Sequence, residues 1–361
     1  MKVIPVAVIG KGGVGRAVVA ALLRSQSRAQ ARGVNLFVNA IAGHDGIAVS
    51  REGWPEASLV KFAAGAGDWR DLTGVRVCTS HAELVAAIGA VTRPGQIVVD
   101  VSAAESAAWH LDWLRRGWHV VTANKKPLTA SRESYEAIMA ASRQVDGPRH
   151  RHEATCGAGL PIISTIADLL AAGDEIQEIS AAASGTLGFV FSACQAGRTF
   201  AAAVADAKAR GYTEPDPRED LSGKDVARKA LILARLLGWS MELSDIPVDD
   251  LVPKSLQSGS VENFLAGLPT ASGYIDERVS AAAKNGQVLR YLATVGPAGI
   301  TVGLREVPRE SPLGGLAGTE NMFVVRSRYY DSAPLVIRGP GAGATVTAVG
   351  ILSDIFRIIN L

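Results

Sequence analysis

The feature that most limits what this chain can become lies at its start. Residues 3–9 form a short, almost wholly apolar run. It breaks at Gly10-Lys11-Gly12-Gly13-Val14-Gly15 and passes into an Ala- and Leu-rich stretch over residues 16–23. A strand buried on both faces, a glycine turn and a helix make a βα unit. The GxGxxG spacing has a mechanical meaning. One glycine makes the tight turn, a second lets the backbone approach a pyrophosphate, and a third lets helix and strand pack closely. Free N–H groups and the dipole at that helix start favour a diphosphate. Gly10, Gly12, Gly13, Val14 and Gly15 are therefore candidate dinucleotide-binding residues. The plainer alternative is a glycine turn without a ligand.

The alternation continues over about 150 residues. Strands are expected at 36–42, 76–79, 97–101 and 120–122, with helical stretches such as 83–88 and 106–116 before the later ones. That rhythm predicts an α/β fold, a Rossmann-type doubly wound parallel sheet. Beyond residue 155 the pattern changes. Helices are expected at 162–171, 200–210 and 224–237, with a polar loop over 214–223. Strand-like runs fill 272–307, with Asn285-Gly286 as a turn. A glycine-rich segment from Gly339 leads into an apolar helix over 345–359. The division expected is a nucleotide unit over 1–155 and a second, α+β unit over most of the rest.

Composition excludes several partners. The net charge is +2, from 37 basic and 35 acidic residues without a basic block, which argues against nucleic acid. The longest uncharged run, 179–197, carries Ser180, Ser184, Thr186, Ser192 and Gln195 and is too polar to span a membrane. The N-terminus enters its glycine turn without a cleavage site, so it reads as a strand and not a signal peptide. Cys78, Cys156 and Cys194 are far apart and form no CxxC, which suggests buried free thiols in a reducing cytoplasm. The second strand ends Asn39-Ala40-Ile41-Ala42-Gly43 with no carboxylate before Asp45, leaning toward NADP over NAD. Lys11 and Arg16 are near enough in sequence to meet a 2′-phosphate, or are solvated surface cations.

Six further segments follow in order: Thr122-Ala123-Asn124-Lys125-Lys126-Pro127; Glu153-Ala154-Thr155-Cys156-Gly157-Ala158-Gly159-Leu160-Pro161; Ser184-Gly185-Thr186-Leu187; Gly211-Tyr212-Thr213-Glu214-Pro215-Asp216-Pro217; Asp220-Leu221-Ser222-Gly223-Lys224-Asp225-Val226-Ala227-Arg228-Lys229; and Gly339-Pro340-Gly341-Ala342-Gly343. Together they resemble the homoserine dehydrogenases over almost the whole chain. The EPDP…DLxGxDxxRK element is the most specific part. The resemblance implies NAD(P)-dependent interconversion of L-homoserine and L-aspartate 4-semialdehyde, on the route to threonine and methionine. It implies that residues 341–361 complete the nucleotide domain and that 156–340 bind substrate and form a homodimer. With the chain ending at Leu361, it also implies a monofunctional form without an ACT or aspartate kinase domain.

Reducing an aldehyde needs a hydride and a proton donor whose pKa lies near the working pH. Lys125 follows a strand end at the carboxyl edge of the sheet, where ligands bind in such folds. Lys229 lies four residues after Asp225 on one helix face. Spacing alone favours a solvated helix ion pair. The resemblance assigns Lys125, Asp225 and Lys229 to catalysis, with both lysines polarising the carbonyl and relaying the proton. It places Gly185, Thr186, Glu214 and Asp220 at the substrate, and Ser102, Asn124, Lys125 and Gly341 beside the glycine loop at the cofactor. It also implies a sodium site made by the Glu153 carboxylate and the carbonyls of Cys156, Ala158 and Leu160. The lysine after the fifth expected strand and the Asp225–Lys229 pair are expected to flank one amino-acid-sized pocket. Cys156 motivates a rival, a Cys-dependent semialdehyde dehydrogenase, although ATCGAG does not match such nucleophile loops. A non-catalytic dinucleotide sensor on the same fold is the other alternative.

Overall fold

The computed structural model describes residues 1–360 and divides into two compact units. One comprises Met1–Gly159 and the stretch from Ala342 onward; the other is Leu160–Gly341. The breaks fall a few residues beyond the 155/156 division expected from the sequence, and one residue beyond 340/341.

The first unit is built on a seven-stranded sheet: β1 Lys2–Ile9, β2 Val34–Ala42, β3 Ile47–Val49, β4 Val75–Arg76, β5 Ile97–Asp100, β6 His119–Thr122 and β7 His150–Arg151, in the order β4-β3-β2-β1-β5-β6-β7. β2, β1, β5, β6 and β7 run parallel, whereas β3 pairs antiparallel with both β2 and the edge strand β4. Both faces are covered. Gly13–Ala31 and the last helix, Ala344–Ile358, pack Val18, Leu22, Ile351 and Ile355 against Ile4, Val6 and Val8. The helices His81–Gly89, Ala107–Arg115 and Arg132–Ser142 close the other face through Ile88, Trp113 and Ile138. Sandwiching of this kind is why the strands read as unbroken apolar runs. The chain crosses over on either side of β1, so the crevice between the carboxyl ends of β1 and β5 is the switch point where such sheets take ligands.

The parallel expectation for 76–79 fails. Only Val75–Arg76 is strand, and it pairs antiparallel with the three-residue β3, while Val77 is solvent-exposed. A ladder of two residues leaves too little apolar alternation to show in the sequence.

The second unit holds an antiparallel sheet of β8 Ile176–Ala182, β9 Gln287–Gly296, β10 Gly299–Pro308, β11 Glu320–Ser327 and β12 Leu335–Pro340, ordered β10-β9-β8-β11-β12. Its helices include Ile162–Ala171, Gly185–Gln195, Phe200–Ala209 and Lys224–Leu236. Two expectations need correction here. Residues 273–284 are helix: Ile275 and Ala282 are buried, and with the half-buried Val279 they mark one face at i, i+4 and i+7. Asn285-Gly286 then caps that helix, with Gly286 at φ +69°, and is not a hairpin turn. The loop over 214–223 contains a short helix, Pro217–Leu221, started by the Asp216 carboxylate accepting from Arg218 N–H with Pro at its first position. No helix among the described residues is long and apolar enough to cross a membrane; the run 179–197 splits into strand and helix.

Candidate active site

In the first unit, β1 hands over to the glycine loop at the switch point. Gly10 has φ +124°, and a Cβ there would lie 2.9 Å from the Val101 carbonyl after β5. A Cβ on Gly15 would lie 1.7 Å from the Gly10 carbonyl oxygen, so this position admits glycine alone. Gly12 faces open space, and Gly13 is nearly as open. Val14 packs on the core beneath. The 19-residue helix that follows has no side-chain cap and no acid in its first turn, so its N–H groups are set for an anion. These residues fit a dinucleotide diphosphate.

Ser102, Asn124 and Lys125 lie at the same carboxyl edge, after β5 and β6. Ser102 donates from N–H and hydroxyl to the Asp100 carboxylate at 2.9 and 2.7 Å. Asn124 donates to Asp100 at 3.2 Å, and Lys125 begins the short helix Lys126–Thr129. Lys126 pairs with Glu105 at the surface. Gly341 ends the second unit, where a Cβ would strike the Asn321 side chain at 1.9 Å. The Asn321 amide is buried with neither polar atom hydrogen-bonded.

At the end of β2 the structure separates the two cations named from the sequence. Lys11 pairs with Asp45 at 2.9 Å, and Arg70 pairs with the same carboxylate. Both cations lie over the Trp69 ring. Arg16 instead donates to the carbonyls of Phe62 and Gly67, which makes it a loop brace.

In the second unit, β8 delivers Ala183 to the turn that starts the helix Gly185–Gln195. Lys229, on the helix Lys224–Leu236, is 9% exposed; its Nζ donates to Ala183 O at 2.7 Å and meets Asp225 Oδ2 at 2.9 Å. The side chain of Asp225 is half exposed and opens on a cleft of about 520 Å³ shared with Lys224, Arg228 and Asp250. A solvated i,i+4 pair would leave its lysine exposed, and Lys229 is buried instead.

Thr186 Oγ1 lies 2.8 Å from Asp220 Oδ1 and 2.5 Å from Tyr212 O, and its single proton can serve only one of them. Glu214 N–H donates to the other Asp220 oxygen at 2.8 Å, while the Glu214 side chain is exposed. Burial, offset in part by these hydrogen bonds and reinforced by Asp225, raises the Asp220 pKa above the ordinary carboxylate value. No basic side chain pairs with Asp220 among the described residues. Gly185, Thr186, Glu214, Asp220, Asp225 and Lys229 thus gather around the turn at 183–186.

Glu153, Cys156 and Ala158 are buried in the first unit, and Leu160 begins the second. Gly157 and Ala158 have φ +78° and +55°, bending the chain sharply. Glu153 meets Arg357 at 2.9 Å, and its N–H donates to Asp354. No group of three His, Cys, Asp or Glu side chains suited to a metal occurs among the described residues, so a cation here would rely on main-chain oxygens. Cys156 is fully buried, a poor setting for the nucleophile of the rival chemistry.

Sequence reasoning missed Asp100, Arg70 and Asn321. A charged residue ending the apolar run Ile97–Asp100 was the available signal for Asp100; for the other two there was none.

Comparison with known proteins adds a family. Residues 161–356 match the model described as homoserine dehydrogenase, and residues 10–148 match the one described as homoserine dehydrogenase, NAD binding domain. The homoserine dehydrogenase of Schizosaccharomyces pombe is 35% identical over 98% of this chain and 95% of its own. The chloroplastic bifunctional aspartokinase/homoserine dehydrogenase 2 of Arabidopsis thaliana is 44% identical over 74% of this chain and 30% of its own. The chain thus spans under a third of the length of the plant relatives it matches. A crystal structure of a Candida auris protein of unknown function superposes with a TM-score of 0.89 at 31% identity, covering 100% of this chain and 99% of that one.

Proposed function

Since the chain belongs to the homoserine dehydrogenase family, we propose that it interconverts L-homoserine and L-aspartate 4-semialdehyde with a nicotinamide dinucleotide. One observation carries this reading: the near-buried Lys229 ammonium, oriented by Asp225 and the Ala183 carbonyl beside the Gly185–Thr186 turn. The bound nicotinamide supplies or accepts the hydride. Lys229 and Lys125 polarise the carbonyl oxygen and relay its proton, and Asp225 holds Lys229 and the substrate's polar groups in register. Asp220 takes the substrate ammonium. A partly buried carboxylate without a counter-ion gains from a cation, and its raised pKa is the mark of that deficit. Glu214 adds a second carboxylate, while Gly185 and Thr186 offer a main-chain N–H and a hydroxyl.

The nucleotide we infer is NADP in preference to NAD. Asp45 is neutralised by both Lys11 and Arg70, so it is poorly placed to hold ribose hydroxyls, and the cluster keeps a net positive charge for a 2′-phosphate. A monovalent cation such as sodium is proposed at Glu153, Cys156 and Ala158; the burial of the Glu153 carboxylate and the left-handed turn at Gly157–Ala158 support it. A homodimer through the second unit and a cytoplasmic setting complete the proposal.

The test is oxidation of L-homoserine with NAD and with NADP in parallel at alkaline pH. Nucleotide reduction is expected with wild type, and a fall of about 100-fold or more in kcat for Lys229→Ala. Lys11→Ala and Arg70→Ala should raise KM for NADP more than for NAD. No reduction with either nucleotide overturns the activity, and an unimpaired Lys229→Ala overturns the roles.

A further inference from the structure

Asp100 is a buried charge that the proposed reaction leaves without a task. It ends β5 with no exposure, and no Lys or Arg pairs with it among the described residues. Its charge is spread over hydrogen bonds instead. Beyond Ser102 on Oδ1, the carboxylate accepts at Oδ2 from the Ser106 hydroxyl at 2.6 Å, His110 Nε2 at 2.9 Å and Asn124 at 3.2 Å. Taking a carboxylate out of water is costly even after relaxation. β5 does not need it for pairing, since its ladder runs through the main chain to β1 and β6.

Behind His110, its Nδ1 lies 3.0 Å from Nε2 of the buried His150. Burial above all, then the neighbouring His110 and His152, pushes the His150 pKa well down, so this ring is neutral. If each imidazole carries its proton on Nε2, His150 donates to His110 and His110 donates to Asp100. The sole atom of the two rings then left without a partner is His150 Nδ1, a bare lone pair rather than an orphaned N–H. The chain of hydrogen bonds therefore has a direction, and it ends on the carboxylate.

On its other side the carboxylate reaches the turn that carries Lys125. The Asn124 amide that donates to Asp100 also donates to Ala104 O at 2.8 Å, while its oxygen accepts from Lys126 N–H at 3.1 Å. Thr122 Oγ1 accepts from Asn124 N–H at 2.9 Å and donates to the carbonyl of Asp100 at 3.0 Å. Lys125 thus sits between Asn124, which is tied to Asp100, and Lys126, whose N–H is tied to the Asn124 side chain. Its own carbonyl accepts from Leu128 and Thr129.

We propose that Asp100, oriented by His110 and His150, is a positioning residue that sets, through Asn124, the backbone from which Lys125 is presented to the reaction. This rests on the role given to Lys125 above.

Kinetics of homoserine oxidation test it, with each rate normalised to the folded fraction. Asp100→Asn and His110→Leu should lower kcat by about 10- to 100-fold, the scale of a misplaced catalytic group, with KM for homoserine little changed. His110→Gln, whose amide can donate where Nε2 does, should recover most of the loss. In a Lys125→Ala background, Asp100→Asn should cost almost nothing more, because the group it positions is gone. Full additivity of the two substitutions, or a His110→Gln as slow as His110→Leu, overturns the inference alone. An inactive wild type, or a Lys125→Ala as fast as wild type, overturns the parent reading and this one with it.

Discussion

A Cβ on Gly15 would sit inside contact distance of the Gly10 carbonyl, whereas one on Gly12 would meet nothing within 4 Å. The two glycines therefore serve different ends, packing at Gly15 and ligand approach at Gly12. Gly12→Ala should melt with wild-type protein yet bind the dinucleotide more weakly, while Gly15→Ala should lower the melting temperature as well. Thermal unfolding with and without nucleotide separates them, and equal melting losses would sink the distinction. At this scale the sequence was most readable where residue type alone carries meaning. Glycines at fixed spacing stood out without coordinates, and lysines and carboxylates inside specific motifs were named there as candidates. The pairing of Arg70 with Asp45 was not, because the two lie 25 positions apart and nothing local links them. The depth of Lys229 was equally hidden, since an i,i+4 pair reads the same on a solvated face.

The helix Ala344–Ile358 shows the same limits at the level of an element. Its apolar stripe was legible, and Ala348, Ile351 and Ile355 occupy the nucleotide unit's core. Gly350 was not explained by pattern. A Cβ there would come within 2.6 Å of Ala158 O and 3.2 Å of Ala154 Cβ. Replacing a helical glycine by alanine normally gains about 1 kcal/mol. Here overpacking against main chain should cost about 1–3 kcal/mol and win. Gly350→Ala is thus expected to unfold at lower urea concentration, and a higher midpoint would show that the helix can shift outward. Elsewhere, the helices expected at 162–171, 200–210, 224–237 and 345–359 were placed to within a residue or two, whereas Gly13–Ala31 was expected only over 16–23, and β3, β4 and the helices Gly185–Gln195 and Gly273–Lys284 were missed or misread. Short ladders carry too few residues for a period, and β-branched Ile275 and Val279 imitate a strand until the i, i+4, i+7 spacing is counted.

For the molecule as a whole, stability should depend on acid through imidazoles that are partly or wholly buried. His119 Nδ1 accepts from Arg149 N–H at 3.0 Å. Burial first, then Arg149 and Lys2, pushes its pKa down to about 4. The unfolded chain takes up this proton near pH 6.5, before the folded one does. Its contribution is therefore present above about pH 6.5 and is lost as pH falls toward 4, at up to about 1.4 kcal/mol per pH unit. His150 acts in the same direction, while Asp354, pushed up to about 7 by burial, opposes it. Comparison of wild type with His119→Asn isolates the term. The variant's urea midpoint should fall less steeply between pH 6.5 and 4, and parallel curves would refute the assignment.

The order of residues along the chain was enough to establish the fold class, the dinucleotide loop and the family motifs. Each of these is written in short-range spacing, in alternation of strand and helix, or in side-chain type. Folding decided the rest. It determined which carboxylates lose water and which cations reach them, as when Arg357 meets Glu153 across 204 positions or His150 meets His110 across 40. Burial and charge pairing are properties of distance in space, and sheet topology sets those distances between segments whose sequences carry no record of one another.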